Sequence, residues 1–370
     1  MKEIRNVISA FKTLKQTGQA GVLASVVNTS GSTYRRSGAK ALVLSDDSIV
    51  GLVGGGCLES DLLQQAQRVR MSRKATIVSY DNRGDEDIVW GLGLGCAGLV
   101  EVLLETVDVN HCGPIDFIDS VITQDQFGQM MTVIDSGNSA EVTLGARWFK
   151  NNEKIDTTLA WHPCSYFLSQ AKELEAVKEN RILKYKGVSV LLESVQPLPR
   201  MVIFGAGADA IPLVTLSAGL GWKTEVIDKR PGYATESRFP LADSVQQYSI
   251  EDVADKVKID PDTIVVLMTH NYLLDLELAK FVIDSPARYI GALGPKSRLE
   301  LMIKDMRQSG KAVSTSDMDR FYGPAGFDIG TDTPEEIALS IIVEAQAFLK
   351  GRSGKPLRER NGSIHEQDAA

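Results

Sequence analysis

Met201-Val202-Ile203-Phe204-Gly205-Ala206-Gly207-Ala208-Asp209-Ala210 carries a short β-branched and aromatic run into two glycines spaced one apart, with an alanine three positions on. A second apolar run, Lys223 to Ile227, ends on Asp228, about twenty residues past the glycines, the spacing of a dinucleotide-binding βαβ unit. In that unit the glycines bring backbone close to a pyrophosphate, the next helix offers it N–H groups, and the acid meets a ribose hydroxyl. The stretch predicts the opening of a Rossmann-like, doubly wound parallel sheet, with Gly205, Gly207 and Asp228 at its ligand crevice. Asp228 has a second reading, as a cap on the turn before Arg230-Pro231-Gly232. Arg230 suits a ribose 2′-phosphate, so NAD and NADP stand equal.

Outward from this unit the pattern continues. Strands are expected at Thr263 to Met268 and Arg288 to Leu293, with helices at Leu274 to Ile283 and Ser297 to Met306. Thr333, Pro334 and Glu336 read as N-cap, first helical residue and capping-box acid of a last helix with Ile337, Ile341, Ala345 and Phe348 on its apolar stripe. Residues 200–350 form this domain, and the polar residues 351–370 read as an unstructured tail. His270 follows the fourth strand, where the crevice opens beside the first and fourth strand ends, and is expected to face the nucleotide; the alternative is a loop-holding hydrogen bond.

Before residue 200 the elements do not alternate in this way, and residues 1–195 read as a separate mixed α/β domain. An opening amphipathic helix carries Ile4, Val7, Ile8, Phe11 and Leu14 and is no signal peptide, being interrupted by Lys12 and Lys15. Strands are expected at Gly21 to Val27, Ala41 to Leu44, Ile49 to Val53, Thr76 to Tyr80 and Leu99 to Leu104. Within 112–195 the readings are a short helix from Pro114, strands at Met130 to Ile134 and Val142 to Phe149, a helix from Leu168 to Asn180 and a strand at Val188 to Leu192. This segment is expected to complete the first domain's sheet, and Glu193 to Arg200, with two prolines, reads as a linker.

The chemistry of the first domain centres on Gly54-Gly55-Gly56-Cys57-Leu58-Glu59. A thiol entering a helix after three glycines feels the positive helix end and unpaired N–H groups, which favour thiolate and bind anions; otherwise Cys57 is a small apolar residue after a tight turn. Cys96, in Gly93-Leu94-Gly95-Cys96-Ala97-Gly98, is either a second ligand or a small residue where backbones approach closely. Arg35 and Arg36 suit bidentate contacts to phosphate, or form a solvated pair.

The 370 residues are 43% hydrophobic and 24% charged, with a net charge of −8 and no long basic run, which disfavours nucleic-acid binding. No stretch approaches a membrane span. Four scattered cysteines without a CxxC disfavour a disulfide framework and fit the cytoplasm, and the four histidines make no pairing at zinc-ligand spacing.

These blocks resemble the XdhC/CoxI family of accessory proteins that mature xanthine dehydrogenase and related molybdenum hydroxylases. The resemblance runs through Gly31 to Ala39, Gly54 to Glu59, Gly93 to Gly98, Phe204 to Gly207, Val226 to Arg230, Thr269 to Asn271, Gly291 to Gly294 and Asp328 to Gly330. It implies a chaperone that binds molybdenum cofactor (molybdopterin) and holds it for sulfuration and insertion, with Cys57 as the key thiol and metal ligand. It implies an apo molybdenum hydroxylase and a cysteine desulfurase as partners, with a homodimer as one compatible assembly. Ala208 departs from the family, which often has histidine there. A soft metal for a thiolate and a phosphate for the glycine turn are the two preferences that Gly54 to Cys57 can meet. The competing class is an NAD(P)-dependent oxidoreductase with its substrate site in the first domain.

Overall fold

The computed structural model describes residues 1–360 except 57, 82, 84–97, 112, 138, 140–141, 152–153, 158–163 and 174–179. The chain forms two compact units that meet in sequence between Pro197 and Leu198.

In the first unit, α1 (Lys2–Thr17) buries Val7, Ile8, Phe11 and Leu14 at helical spacing. It is followed by β1 (Gly21–Gly31), β2 (Lys40–Val43), β3 (Ile49–Gly51), α2 (Glu59–Ser72), β4 (Thr76–Asp81) and β5 (Gly98–Val107). The strands form an antiparallel sheet ordered β3-β2-β1-β5-β4. Next come α3 (Gly113–Gln124), β6 (Gly128–Asp135), β7 (Arg147–Asn151), β8 (Lys154–Thr157), α4 (Cys164–Glu173), β9 (Arg181–Tyr185) and β10 (Val188–Val195).

These later strands do not complete the first sheet but build a second antiparallel one, ordered β8-β7-β6-β10-β9. The reason is pairing: β1 already has β2 and β5 on its two sides, while β7–β8 and β9–β10 pair with their chain neighbours and join through β6 and β10. The two sheets share a core, with Leu23 and Val107 of the first and Met130 and Phe149 of the second around Phe11 and Ile115. Val27, Leu103 and Leu191 extend that contact. The strand expected from Val142 starts only at Arg147, after a turn in which Gly145 has φ 81°. The helix expected over Leu168 to Asn180 starts at Cys164, and residues 174–179 are outside the described set. Glu193 is no linker residue: it lies inside β10 and is buried.

The second unit alternates strand and helix: β11 (Arg200–Phe204), α5 (Ala210–Leu220), β12 (Lys223–Ile227), β13 (Ser244–Gln246), α6 (Ile250–Lys256), β14 (Thr263–Leu267), α7 (Tyr272–Val282), β15 (Tyr289–Ala292), α8 (Lys296–Gln308), α9 (Thr315–Met318), β16 (Phe321–Tyr322) and α10 (Pro334–Leu349). Every neighbouring pair in the order β13-β12-β11-β14-β15-β16 is parallel. Counted within the unit this is 3-2-1-4-5-6, the doubly wound order of dinucleotide-binding folds. One face of the sheet is covered by α6, α7 and α8, the other by α5 and α10. Strands buried on both sides explain the unbroken apolar runs Met201 to Phe204 and Ile264 to Leu267. Beyond α10 a single 3-10 turn, Leu357–Glu359, forms within the segment expected to be unstructured, and residues 361–370 are outside the described set. Among the described residues no helix is long and apolar enough to cross a membrane.

Candidate functional site

In the second unit the glycine turn lies at the switch point between β11 and β14, the adjacent first and fourth strands. Gly205 has φ 122°, and a Cβ there would collide with the carbonyl oxygen of Met268, so only glycine lets the two strand ends come this close. Asp228 at the end of β12 is buried, and its carboxylate is fully engaged. Ala206 N–H donates to Oδ2 at 2.8 Å and Arg230 N–H to Oδ1 at 2.9 Å, while the Arg230 guanidinium grips both oxygens, Nη2 lying 2.6 Å from Oδ2. Burial pushes the Asp228 carboxyl up, but the hydrogen bonds from Arg230 and Ala206 outweigh it and hold it below the usual carboxylate range. Asp228 thus clamps the glycine turn to the segment after β12, as its turn-capping reading has it, and a ribose hydroxyl would have to compete with Arg230.

Arg230 also stacks on Tyr233, 3.8 Å from guanidinium carbon to ring centroid. Arg238 closes the other side of the turn, donating 2.7 Å hydrogen bonds to the carbonyls of Ala206 and Tyr233. A cavity of about 20 Å³, room for about one water, opens among Phe204, Asp228, Tyr248 and Thr269 beside these strand ends.

His270 reaches the same turn. Its Nε2 lies 2.7 Å from Asp209 Oδ2, and its ring edge faces Gly207. The loop that carries it is held by Asp275, buried in the first turn of α7, which accepts from Thr269 Oγ1 at 2.6 Å and from Arg298 Nη2 at 2.7 Å. Asp209 and Asp275 went unread in the sequence; their signals were an acid inside the GxGxxA motif and an acid in the first turn after Thr269-His270-Asn271.

In the first unit the loop between β1 and β2 gathers the other motif blocks. Tyr34, 61% exposed, lies against Gly55, and Ser32 and Thr33 pack on Gly98, where the chain emerges from the segment holding Cys96. Gly54 packs on Leu58, the N-cap residue of α2, which has no side-chain cap. Gly55 and Gly56 are exposed; Cys57 and Cys96 lie outside the described residues. Glu59 and Asp61 stand in the first turn of α2, and Asp61 accepts a 2.8 Å hydrogen bond from Tyr80.

Arg35 is already engaged. It pairs with Glu3 of α1 and lines a cavity of about 220 Å³ with Lys40, Ile118, Asn180 and Glu193. Deep in that wall Lys40 Nζ and Glu193 Oε1 form a buried ion pair 2.5 Å long, only 3% and 8% exposed. The exposed Arg36 makes no side-chain hydrogen bond or ion pair among the described residues, and on this loop it is the arginine open to an anion. Among the described residues no three His, Cys, Asp or Glu side chains converge as metal ligands.

Residues 201–345 match the family model of the XdhC Rossmann domain, and residues 14–81 that of the XdhC and CoxI family. A protein of Bacillus subtilis described as a probable xanthine dehydrogenase subunit is 28% identical over 92% of this chain and 96% of its own length. The molybdenum cofactor insertion chaperone PaoD of Escherichia coli is 20% identical over 89% of this chain and 83% of its own. The crystal structure of a xanthine dehydrogenase from Bacillus halodurans has 30% identity and a TM-score of 0.77, covering 94% of this chain and 97% of that one.

Proposed function

Because the chain belongs to the XdhC and CoxI family, we propose that it is a maturation factor that binds molybdenum cofactor and supports its sulfuration and insertion into a molybdenum hydroxylase of the xanthine dehydrogenase type. The observation that carries this reading is the near full-length similarity to a molybdenum cofactor insertion chaperone. The domains follow as a cofactor-handling part, 1–195, and a nucleotide-binding part, 200–350.

In this reading Cys57 supplies a thiolate for the soft metal, and Gly54, Gly55 and Gly56 keep side chains out of the approach to it. Arg36 is the more available phosphate ligand in the loop, since Arg35 must first leave Glu3. The open face of Gly55 and Gly56 beside Tyr34 suits a flat, anionic cargo. The acids Glu59 and Asp61 oppose an anion at the start of α2, so the phosphate is better met by the arginine loop than by the helix end. Cys96 serves as a second thiol. In the second unit Gly205, Gly207, Asp228 and His270 form a crevice for NAD or NADP. The hydroxylase apo-enzyme and a cysteine desulfurase are the partners, in the cytoplasm.

The test is reconstitution of apo-hydroxylase with cofactor, with and without this protein, beside molybdenum analysis of the purified chain. Wild type should bind cofactor at about one to one and raise hydroxylase activity, and Cys57→Ala should lose both. Wild-type binding and activation by Cys57→Ala would remove the thiol from the mechanism. The oxidoreductase alternative is supported by the doubly wound sheet and the His270–Asp209 pair; robust NAD(P) turnover with no effect on reconstitution would favour it.

A further inference from the structure

Asp209 is the N-cap residue of α5, yet its side chain makes no capping hydrogen bond. Its Oδ2 meets His270 instead, and its Oδ1 lies so close over Gly207 that a Cβ there would collide with it. His270 makes this contact from a left-handed backbone, φ 57°, which a non-glycine residue adopts when its neighbours impose it. Here the Thr269–Asp275–Arg298 chain of hydrogen bonds and the cap of α7 by Asn271 impose it. A carboxylate is therefore held on the face of the glycine turn that receives phosphate in folds of this order. The neighbouring carboxylate, Asp228, takes up the Arg230 guanidinium, so that among the described residues the ion pair of Asp209 is with His270.

We propose that Asp209 limits the nucleotide affinity of this crevice: it is an internal anion, held by His270, that a nucleotide phosphate must displace to enter. The inference rests on the nucleotide-binding reading of the second unit. Two anions at hydrogen-bonding range of one turn repel each other, and the repulsion is stronger where water is partly excluded. The crevice thus resists a phosphate by charge, and a side chain at 207 would have to move the Asp209 carboxylate that His270 holds.

Calorimetric titration of the full chain with NAD and with NADP, comparing wild type with Asp209→Asn and Asp209→Ala, tests this. The Asp209 side chain makes no capping hydrogen bond to α5, so neither substitution removes one; both should tighten binding of either nucleotide at least tenfold. Measurable binding that is tightened less than tenfold, unchanged, or weaker in the variants overturns the role of Asp209 while nucleotide binding stands. No binding by wild type or by either variant overturns the nucleotide reading and this inference together, and leaves the maturation assay as a separate question.

Discussion

At the residue scale the second unit depends on one buried carboxylate. Asp228→Asn keeps the shape but removes the charge that Arg230 grips and that Ala206 N–H points at, so it should cost about 1–3 kcal/mol, read as a lower urea midpoint of the second unit. The pH dependence has a definite sign. The folded-state pKa of Asp228 is lowered, so its contribution is present above its unfolded value of about 4 and is lost as pH falls through the lower folded value. Urea midpoints of wild type should hold from neutral pH to about pH 5 and drop below about pH 4. The drop should be shallower in Asp228→Asn, and parallel curves would assign acid lability to other carboxylates. Gly207 offers a contact test independent of ligands. Gly207→Ala should destabilise, because the new methyl group meets Asp209, and Asp209→Ala should restore most of the loss; additive effects in that double-mutant cycle would deny the contact.

At the scale of elements, the buried pair Lys40–Glu193 ties β2 to β10 and hence one sheet of the first unit to the other. Lys40→Met leaves Glu193 buried without its cation and should cost about 3–5 kcal/mol in thermal or urea unfolding. Replacing both, Lys40→Met with Glu193→Leu, should recover most of that, since the removal of both charges leaves an apolar wall. A double variant as unstable as the single one would mean that the pair contributes more than the relief of two buried charges. The start of α10 is a smaller case. Thr333 accepts from Glu336 N–H, and Glu336 accepts from the backbone of Thr333 and Asp332. Thr333→Ala should cost about 1 kcal/mol.

At the scale of the whole molecule, the chain carries a net charge of −8, and among the described residues no helix is long and apolar enough to cross a membrane. After lysis and high-speed centrifugation the overproduced protein should stay in the supernatant, and recovery with the membrane pellet would contradict this. The parallel sheet of the second unit was legible in the sequence because its information is local. The strand Lys223–Ile227 is bounded by a glycine turn before it and Asp228 after it, and α10 carries its own cap, first-position proline and stripe. The two sheets of the first unit were not legible. Alternating apolar residues say that a run is a strand but not which strand it pairs with, and here β6 pairs with β10 across about sixty residues.

The sequence by itself determined the central strands and long helices of the second unit, its doubly wound class and the family resemblance, all written in periodicity, turn chemistry and short motifs that act over a few residues. Tertiary structure alone decided which charges meet: Lys40 with Glu193, Arg35 with Glu3 and His270 with Asp209, separated by 153, 32 and 61 positions. The physical reason is that an ion pair needs only proximity. Nothing in the local sequence of a lysine or a histidine names the carboxylate that folding will bring to it, and that choice passes to the strand order and to the desolvation of whichever charges the sheets enclose.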